Sequence, residues 1–228
     1  MDTNAFKPKE PFNSTVGTSF NIGWDLINSK FGNLLLITLL GVAFQIIVQY
    51  FIRGSDYGLH GNSVSYGLIG ILFSVLIVMP YFFGINYVNL QLVIGEAFNI
   101  ADAFKGFDYI YLNVMLAGMF RIVIIGIGLV LLIVPGIIFA CRLSFVPYLV
   151  IDKQLTAIDA IKTSWAMTNG HAITIFMMFL LSIPIVILGL LALLVGIIPA
   201  SMWINAAFAS FYHSVDIGYN KEIIPGDA

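Results

Sequence analysis

Long apolar runs, separated by short polar or mixed segments, fill most of this chain. A helix that crosses the hydrocarbon core of a membrane needs about 20 predominantly apolar residues. The runs are continuous rather than alternating, which favours helices over the strands of a membrane barrel. The pattern therefore predicts an all-α integral membrane protein with about six transmembrane helices, at residues 34–52, 67–94, 112–134, 136–151, 172–198 and 199–218.

The composition indicates that lipid is the solvent for most of the surface. Apolar residues make up 60% of the 228 residues, and Asp, Glu, Lys and Arg together only 10%. A soluble domain of this size could not cover its surface with that mixture. We therefore expect residues 1–228 to form a single polytopic membrane domain, with residues 1–33 and 219–228 as short tails. The net charge of −2 gives no reason to expect nucleic acid as a partner.

The distribution of Lys and Arg predicts how the chain crosses the membrane, because cytoplasmic segments are enriched in these residues. With six spans, every Lys shares one side and Arg53 alone marks the other. We therefore expect both termini in the cytoplasm, and a location in the cytoplasmic (inner) membrane. Aromatic residues favour the interfaces, and helix counting places Trp24 and Trp165 near the inner boundary and Trp203 near the outer one.

An amphipathic segment precedes each of three pairs of spans. Its bulky apolar residues recur every three or four positions and so share one helical face. They are Val16, Phe20, Trp24, Ile27 and Phe31, then Ile100, Phe104, Phe107 and Tyr111, then Ile158, Ile161 and Trp165. The pattern predicts three repeated hairpin units, each preceded by an amphipathic interfacial helix. Such helices either form a platform for lipid headgroups or a cytoplasmic partner, or only position the next span.

Prolines and glycines predict the turns and the close contacts. Pro135 and Pro199 lie in short sequences typical of tight turns between spans, whereas Pro80 predicts a kink within the second span. Glycines such as Gly126 and Gly128 predict closely packed helices.

A string of residues in the second half resembles a known family. It comprises Pro135-Gly136-Ile137-Ile138, Arg142-Leu143-Ser144-Phe145-Val146-Pro147, Val150-Ile151-Asp152, Ala160-Ile161-Lys162, Ser164-Trp165 and Gly170. It is similar to a bacterial multi-pass membrane superfamily of unknown function, which includes the membrane domain of glycerophosphoryl diester phosphodiesterases. In such fused proteins the phosphodiester chemistry belongs to a separate soluble barrel. The resemblance therefore implies the membrane architecture and lipid-related work, but not the hydrolytic activity.

Two arginines lie inside predicted spans, Arg121 in the third and Arg142 in the fourth. A cation at the centre of a transmembrane helix costs about 2.5–3.5 kcal/mol on insertion scales, so each is expected to have polar partners within the bundle. Counted along the helices, the polar residues form two tiers, which we expect to face the interior. The tier of Arg121 contains Asn86, Asn89, Tyr212 and His213, and the tier of Arg142 contains Gln45, Gln49 and Asn205. Glu96, Asp152 and Asp216 could meet Arg121 at the inner boundary. An anionic lipid headgroup is the functional alternative to this purely structural pairing.

Enzyme chemistry has no sequence signature in this chain. Its three histidines lack the spacing of metal ligands, and no nucleophile elbow, phosphate-binding glycine loop or pair of carboxylates occurs within a span. Cys141 is expected to be a small buried residue. The sequence therefore predicts no catalytic residue, no metal and no cofactor.

The first functional prediction is a non-enzymatic integral membrane module that supports a partner protein or a lipid-related process. The alternative is a transporter or lipid-handling protein that uses a polar intramembrane site. The candidate residues for that site are Arg121, Arg142, Asn86, Asn89, Asn205 and His213. The expected partners are membrane lipids and another membrane protein, and the sequence does not indicate an oligomeric state.

Overall fold

The computed structural model of the protein describes residues 15–56, 74–96, 99–108, 110–191 and 196–223. All regular structure within these ranges is helical. The elements are α1 (Val16–Asp56), a π-helical turn (Ser74–Val78), α2 (Met79–Ile94), a 3₁₀ helix (Ile100–Phe107), α3 (Tyr111–Leu131), α4 (Ile133–Arg142), α5 (Val146–Asp152), α6 (Ala157–Met167), α7 (Ala172–Leu191) and α8 (Ile197–Ile223).

The described part of the chain contains five helical stretches that are long and apolar enough to cross a membrane, which confirms the helical membrane class. They are Val16–Tyr50, Leu76–Ile94, Tyr111–Leu131, Ile133–Asp152 and Ala172–Leu191. The first five predicted spans overlap these stretches, except that residues 67–73 and 192–195 lie outside the described residues. The region predicted as the sixth span forms α8, which is helical but less apolar.

Two prolines predicted to form turns lie within the first turns of helices instead. Between α3 and α4 the backbone becomes extended at Leu132, and Pro135 lies within the first turn of α4. Likewise α8 begins at Ile197, so Pro199 lies within its first turn. The reason is that proline is tolerated in the first turn of a helix, where its missing N–H has no intrahelical partner in any case. Each proline therefore starts a helix rather than forming the turn.

Proline also marks irregular points in the second and fourth spans. A π-helical turn precedes α2, in which Pro80 occupies the first turn. The fourth span is interrupted at residues 143–145, and Pro147 then occupies the first turn of α5. The kink expected at Pro80 is therefore a change of helix type just before it.

The helices alternate between peripheral and central positions. In α1, α3 and α7, the stretches that could cross a membrane are only 17%, 22% and 17% buried. In α2 and the α4–α5 stretch, the corresponding values are 61% and 56%. Central α8 also has fully buried residues, Ala206, Ala207 and Phe211 among them. Because protein rather than lipid surrounds this part of α8, it need not be as apolar as a peripheral helix.

Each of the three amphipathic segments, residues 16–29, the 3₁₀ helix and α6, packs on a central helix. The first packs on α8, the second on α2, and the third on the α4–α5 stretch. Small residues face the central helices, for example Gly106 against the Pro80 carbonyl. The bulky residues Trp24, Phe107 and Trp165 are instead 50%, 37% and 41% exposed.

The contact between Trp24 and Trp203 corrects their predicted positions at opposite membrane boundaries. Their ring centroids lie 5.1 Å apart. The first segment does not continue straight into the span, because the backbone leaves helical geometry at Lys30 (φ −127°, ψ 33°). Residues 16–29 therefore pack along α8, and their depth cannot be counted from the span that follows.

Candidate functional site

A cavity of about 190 Å³ lies where α2, α3, α5, α7 and α8 meet. Its polar lining residues come from each of these helices and from the α4–α5 turn. They are Asn86, Arg121, Ser144, Tyr148, Ser182 and Asn205. A polar cavity of this kind within an apolar bundle is a candidate binding site.

Arg121 supplies the only charge among the lining residues of this cavity. It projects from α3, a peripheral helix, towards the central helices. Its Nε is fully buried, and no hydrogen-bond acceptor within the described ranges pairs with that atom. The Ser144 hydroxyl in the same cavity is also buried without a partner. Two unpaired buried polar atoms in one cavity are unusual, because buried polar groups nearly always find partners.

Three of the other polar residues of the cavity, Asn86, Ser182 and Tyr148, are held in place by contacts within the bundle. The Asn86 amide donates a 2.7 Å hydrogen bond to the Phe82 carbonyl one turn earlier, and the Ser182 hydroxyl donates to the Met178 carbonyl at 2.8 Å. The ring of Tyr148 is fixed by stacking on Tyr212, with centroids 4.7 Å apart and planes inclined by 12°. The cavity thus has a pre-formed wall.

The carboxylates expected near Arg121 have other partners. Asp152 accepts a 2.9 Å hydrogen bond from the Tyr212 hydroxyl, and Asp216 pairs with Lys153 at 2.7 Å. Neither carboxylate lines the cavity, and Glu96 does not line it either. The expected pairing of Arg121 with these three residues is therefore wrong for the described structure.

The cavity opens through aromatic side chains onto the surface of the bundle. Phe82 and Phe179 belong to its lining, yet they are 48% and 39% exposed. On α7 the neighbouring residues Leu180 and Ile183 are also exposed and apolar. The entrance therefore lies within the apolar belt of the protein.

Arg142 does not belong to this cavity. Its guanidinium donates to the Trp165 carbonyl and the Asn169 side chain, each at 3.4 Å, and lies 5.6 Å from the Trp165 ring centroid. The backbone carbonyl of Arg142 accepts a 2.7 Å hydrogen bond from Ser164. Its predicted tier with Gln45, Gln49 and Asn205 is therefore wrong: both glutamines are exposed on α1, and Asn205 lines the cavity with Arg121.

Of the six candidate residues, the structure brings Asn86, Arg121 and Asn205 together and leaves the other three elsewhere. Asn89 is buried and donates to the Ile85 carbonyl of its own helix. His213 lies near Asp152, Lys153 and Asp216 at the far end of the α5–α8 contact. The prediction missed Ser144, Tyr148 and Ser182, although each is a polar residue in an apolar run and could have been found by the same criterion.

Metal-binding and thiol chemistry have little support in the described residues. No group of three or more His, Cys, Asp or Glu side chains there could hold a metal ion. Cys141 is buried, as expected.

Comparisons of the chain with protein-family models, curated proteins and solved structures find no match. The function is therefore inferred from the cavity itself.

Proposed function

We propose that this chain is a non-enzymatic integral membrane protein that binds the anionic group of a membrane lipid at Arg121. The observation that carries this proposal is a guanidinium with no carboxylate among the lining residues of its cavity. A buried charge is normally paired, because removing it from water costs several kcal/mol. An anionic ligand would offset that cost. A non-enzymatic role is favoured because the lining has no paired acid and base.

Other groups in the cavity complement the charge of Arg121. The hydroxyls of Ser144 and Tyr148 and the amide of Asn205 can donate hydrogen bonds to an oxyanion. Arg is suited to such a ligand because its planar guanidinium can bind phosphate or carboxylate through two parallel hydrogen bonds. A free phosphate and a lipid headgroup share this chemistry. The aromatic entrance at Phe82 and Phe179 favours the lipid.

We further propose that α8 is a sixth span and that the chain consists of three hairpin units. Each unit would pair a peripheral helix with a central one: α1 with α2, α3 with α4–α5, and α7 with α8. The alternation of weakly and strongly buried spans supports this arrangement.

The contacts of the amphipathic segments support the same repeat. Each segment has a small residue followed by an aromatic one: Gly23-Trp24, Gly106-Phe107 and Ser164-Trp165. Each small residue lies against a backbone carbonyl of a central helix. A Cβ on Gly23 would lie 3.1 Å from the Trp203 carbonyl oxygen, a Cβ on Gly106 would overlap the Pro80 carbonyl, and the Ser164 hydroxyl donates to the Arg142 carbonyl.

The cavity occupies a corresponding place in all three units. Two residues beyond Pro80, Arg142 and Trp203 come Phe82, Ser144 and Asn205, and all three line it. The first amphipathic segment packs on the last central helix, α8, as closure of a ring of three units requires. These relationships support a binding cavity on a pseudo-threefold axis.

The resemblance to the bacterial superfamily is consistent with this proposal. Its Arg142-to-Pro147 string forms the α4–α5 turn, and Ser144 and Pro147 line the cavity. We propose a location in the cytoplasmic membrane with both termini in the cytoplasm.

Support of a partner protein is a second candidate function, favoured by an apolar cleft between α4 and α7. This cleft has a volume of about 280 Å³, and its lining includes Ile138, Cys141 and Phe176. A transmembrane helix of another protein could pack there. A transporter is less well supported, because Arg142 is bound to α6 and does not extend the Arg121 cavity into a second polar site.

The test is native mass spectrometry of the protein extracted in its own lipids, with Arg121→Gln compared with Arg142→Gln. Loss of one charged hydrogen-bonding group costs about 1.5–3 kcal/mol. The Arg121 variant should therefore retain at least about tenfold less anionic lipid, while the Arg142 variant should retain as much as the wild type. Equal retention by all three proteins would refute binding at Arg121. A protein subunit retained at fixed stoichiometry, with no bound lipid, would favour the partner-protein function.

A further inference from the structure

A second cavity adjoins Arg121 on the other side of its side chain. It has a volume of about 340 Å³, lies between α2 and α3, and shares Phe82 and Arg121 with the first cavity. Apart from Arg121, its described lining is apolar and includes Ile122, Ile125 and Leu129. A charged group therefore lies in the wall between a polar chamber and an apolar groove.

The groove follows one face of α3. Its lining positions on that helix run from Gly118 to Leu129, which at 1.5 Å per residue is a length of about 16 Å. At the Gly118 end the groove is closed, because the Met79 sulfur packs directly over that glycine. One turn further along, the groove is open to the surface: Ile122 and Leu129 in its lining are 55% and 48% exposed.

Gly126 keeps the groove open. A Cβ built on this glycine would meet no other atom within 4 Å, so its small size is not needed for helix packing. Gly128, two residues later, is the opposite case. Its Cβ would lie 2.7 Å from the Phe139 ring and 2.9 Å from the Gly136 backbone. Gly126 thus lies at a helical surface with unfilled space, contrary to its predicted role in close packing.

From these observations we propose that the α2–α3 groove holds a hydrocarbon chain of an anionic lipid whose headgroup is bound at Arg121. This inference rests on the proposed function and names its ligand class as an amphiphile with an anionic head. Charge complementarity selects this occupant, because the chain and the head can each occupy a matching environment on either side of one arginine. A purely apolar occupant would leave the guanidinium unpaired.

The experiment uses two substitutions that act on different parts of the site. Gly126→Leu places a side chain in the groove without removing a polar group, and leucine favours helix formation more than glycine does. Arg121→Gln removes the charge. Gly32→Leu is the matched control, because Gly32 is an exposed glycine of α1 whose Cβ would also meet nothing within 4 Å. Each protein is reconstituted in phosphatidylcholine nanodiscs that contain a minor fraction of phosphatidylglycerol.

Two ligands are then compared: retained phosphatidylglycerol, counted by native mass spectrometry, and glycerol 3-phosphate, a headgroup without a chain, measured by calorimetry. We expect Gly126→Leu to reduce phosphatidylglycerol retention about tenfold, because the leucine side chain would occupy the space of the lipid chain and overpacking carries a cost of that order. Its affinity for glycerol 3-phosphate should be unchanged. Gly32→Leu should match the wild type for both ligands.

The two proposals fail in different ways. If Arg121→Gln loses phosphatidylglycerol but Gly126→Leu retains it, the groove does not hold the chain, while the headgroup site stands. The groove is likewise not the site of the chain if glycerol 3-phosphate, which has no chain, binds the wild type as tightly as the lipid does. If Arg121→Gln retains phosphatidylglycerol at the wild-type level, both proposals are overturned.

Discussion

The indole N–H of Trp203 donates a 2.7 Å hydrogen bond to the backbone carbonyl of Phe20, 183 residues away in the chain. The two aromatic rings also meet edge to face, with centroids 5.8 Å apart. Directly beside this contact, Gly23 allows the first amphipathic segment to approach α8 closely. This contact joins the beginning and the end of the described helical bundle.

Replacing Trp203 with phenylalanine is therefore expected to loosen this closure. The substitution keeps an aromatic ring but removes the hydrogen-bond donor, which typically contributes about 1 kcal/mol. Thermal unfolding in detergent micelles should show a lower midpoint for Trp203→Phe. Trp24→Phe is the control, because the Trp24 side chain is 50% exposed and its loss should have a smaller effect. Equal shifts for the two variants would contradict a specific role for the hydrogen bond.

The position of Trp203 shows which part of the fold could be predicted from the sequence. Apolar runs define spans because each span must satisfy its own backbone in lipid. The depth of an amphipathic segment depends instead on which helix it packs against. Counting residues away from a span therefore placed Trp24 and Trp203 at opposite boundaries, although they are in contact.

The same distinction applies to the cavity. Asn86, Arg121 and Asn205 could be selected because polar residues within apolar runs are costly. Their convergence could not be predicted, because it depends on which faces of α2, α3 and α8 meet. Arg142 was assigned the wrong surroundings because its depth was counted along an uninterrupted span, whereas the helix breaks at residues 143–145 and α6 packs back along it.

Two glycines of α3 should respond in opposite ways to the same substitution. Gly128→Ala would force its new methyl group against Phe139 and the Gly136 backbone, and overpacking of this kind typically costs about 1–3 kcal/mol. Gly126→Ala meets no obstruction and should stabilise the helix by up to about 1 kcal/mol. Unfolding midpoints of the two variants can be compared directly with the wild type. A loss of stability for Gly126→Ala would show that this position is not open.

Ser164 and Thr168 should act together on the α4–α5 turn. The Ser164 hydroxyl donates to the Arg142 carbonyl at 2.7 Å, at the point where the fourth span is interrupted. The Thr168 hydroxyl donates to the Ser164 carbonyl at 2.7 Å and lies 3.3 Å from the same Arg142 carbonyl. Ser164→Ala should cost about 1 kcal/mol. The double variant with Thr168→Val should differ from the sum of the single variants, because the two residues are hydrogen-bonded to each other and lie at the same Arg142 carbonyl. A double-mutant cycle of unfolding free energies measures this coupling, and strict additivity would argue against a shared role.

Acidification should loosen the 3₁₀ helix. Burial raises the pKa of Asp102. Hydrogen bonds from the backbone N–H of Asn99 and the Lys105 ammonium, together with the charge of Lys105, lower the pKa by more, so that it lies below its ordinary value of 3.8. The ionised carboxylate accepts these bonds at 2.8 and 2.9 Å. Because folding lowers this pKa, the carboxylate stabilises the segment above pH 3.8, and the contribution is lost as the pH falls through the folded-state pKa.

Hydrogen exchange of residues 99–108 tests this expectation. Wild-type protection should fall as the pH drops through the folded-state pKa of Asp102, whereas Asp102→Asn should be less protected at neutral pH and should lack this additional change. Comparing the two proteins at each pH cancels the intrinsic pH dependence of exchange. Identical pH profiles would show that Asp102 does not control the segment.

The depth of Trp165 tests where the third amphipathic segment lies. Its indole is 41% exposed on α6, while the small residues Ala160 and Ser164 face the protein and are fully buried. If the bulky face meets the membrane interface, as the sequence pattern predicts, the indole should lie at headgroup depth. Trp24→Phe and Trp203→Phe together leave Trp165 as the single tryptophan among the three in the chain. In this background, lipids brominated near the headgroup should quench its fluorescence more strongly than lipids brominated near the chain end.

Strongest quenching of Trp165 by chain-end bromine would place α6 within the hydrocarbon core. Quenching by aqueous iodide alone would instead place this face in water, where it could bind a cytoplasmic protein but could not anchor the segment in the membrane.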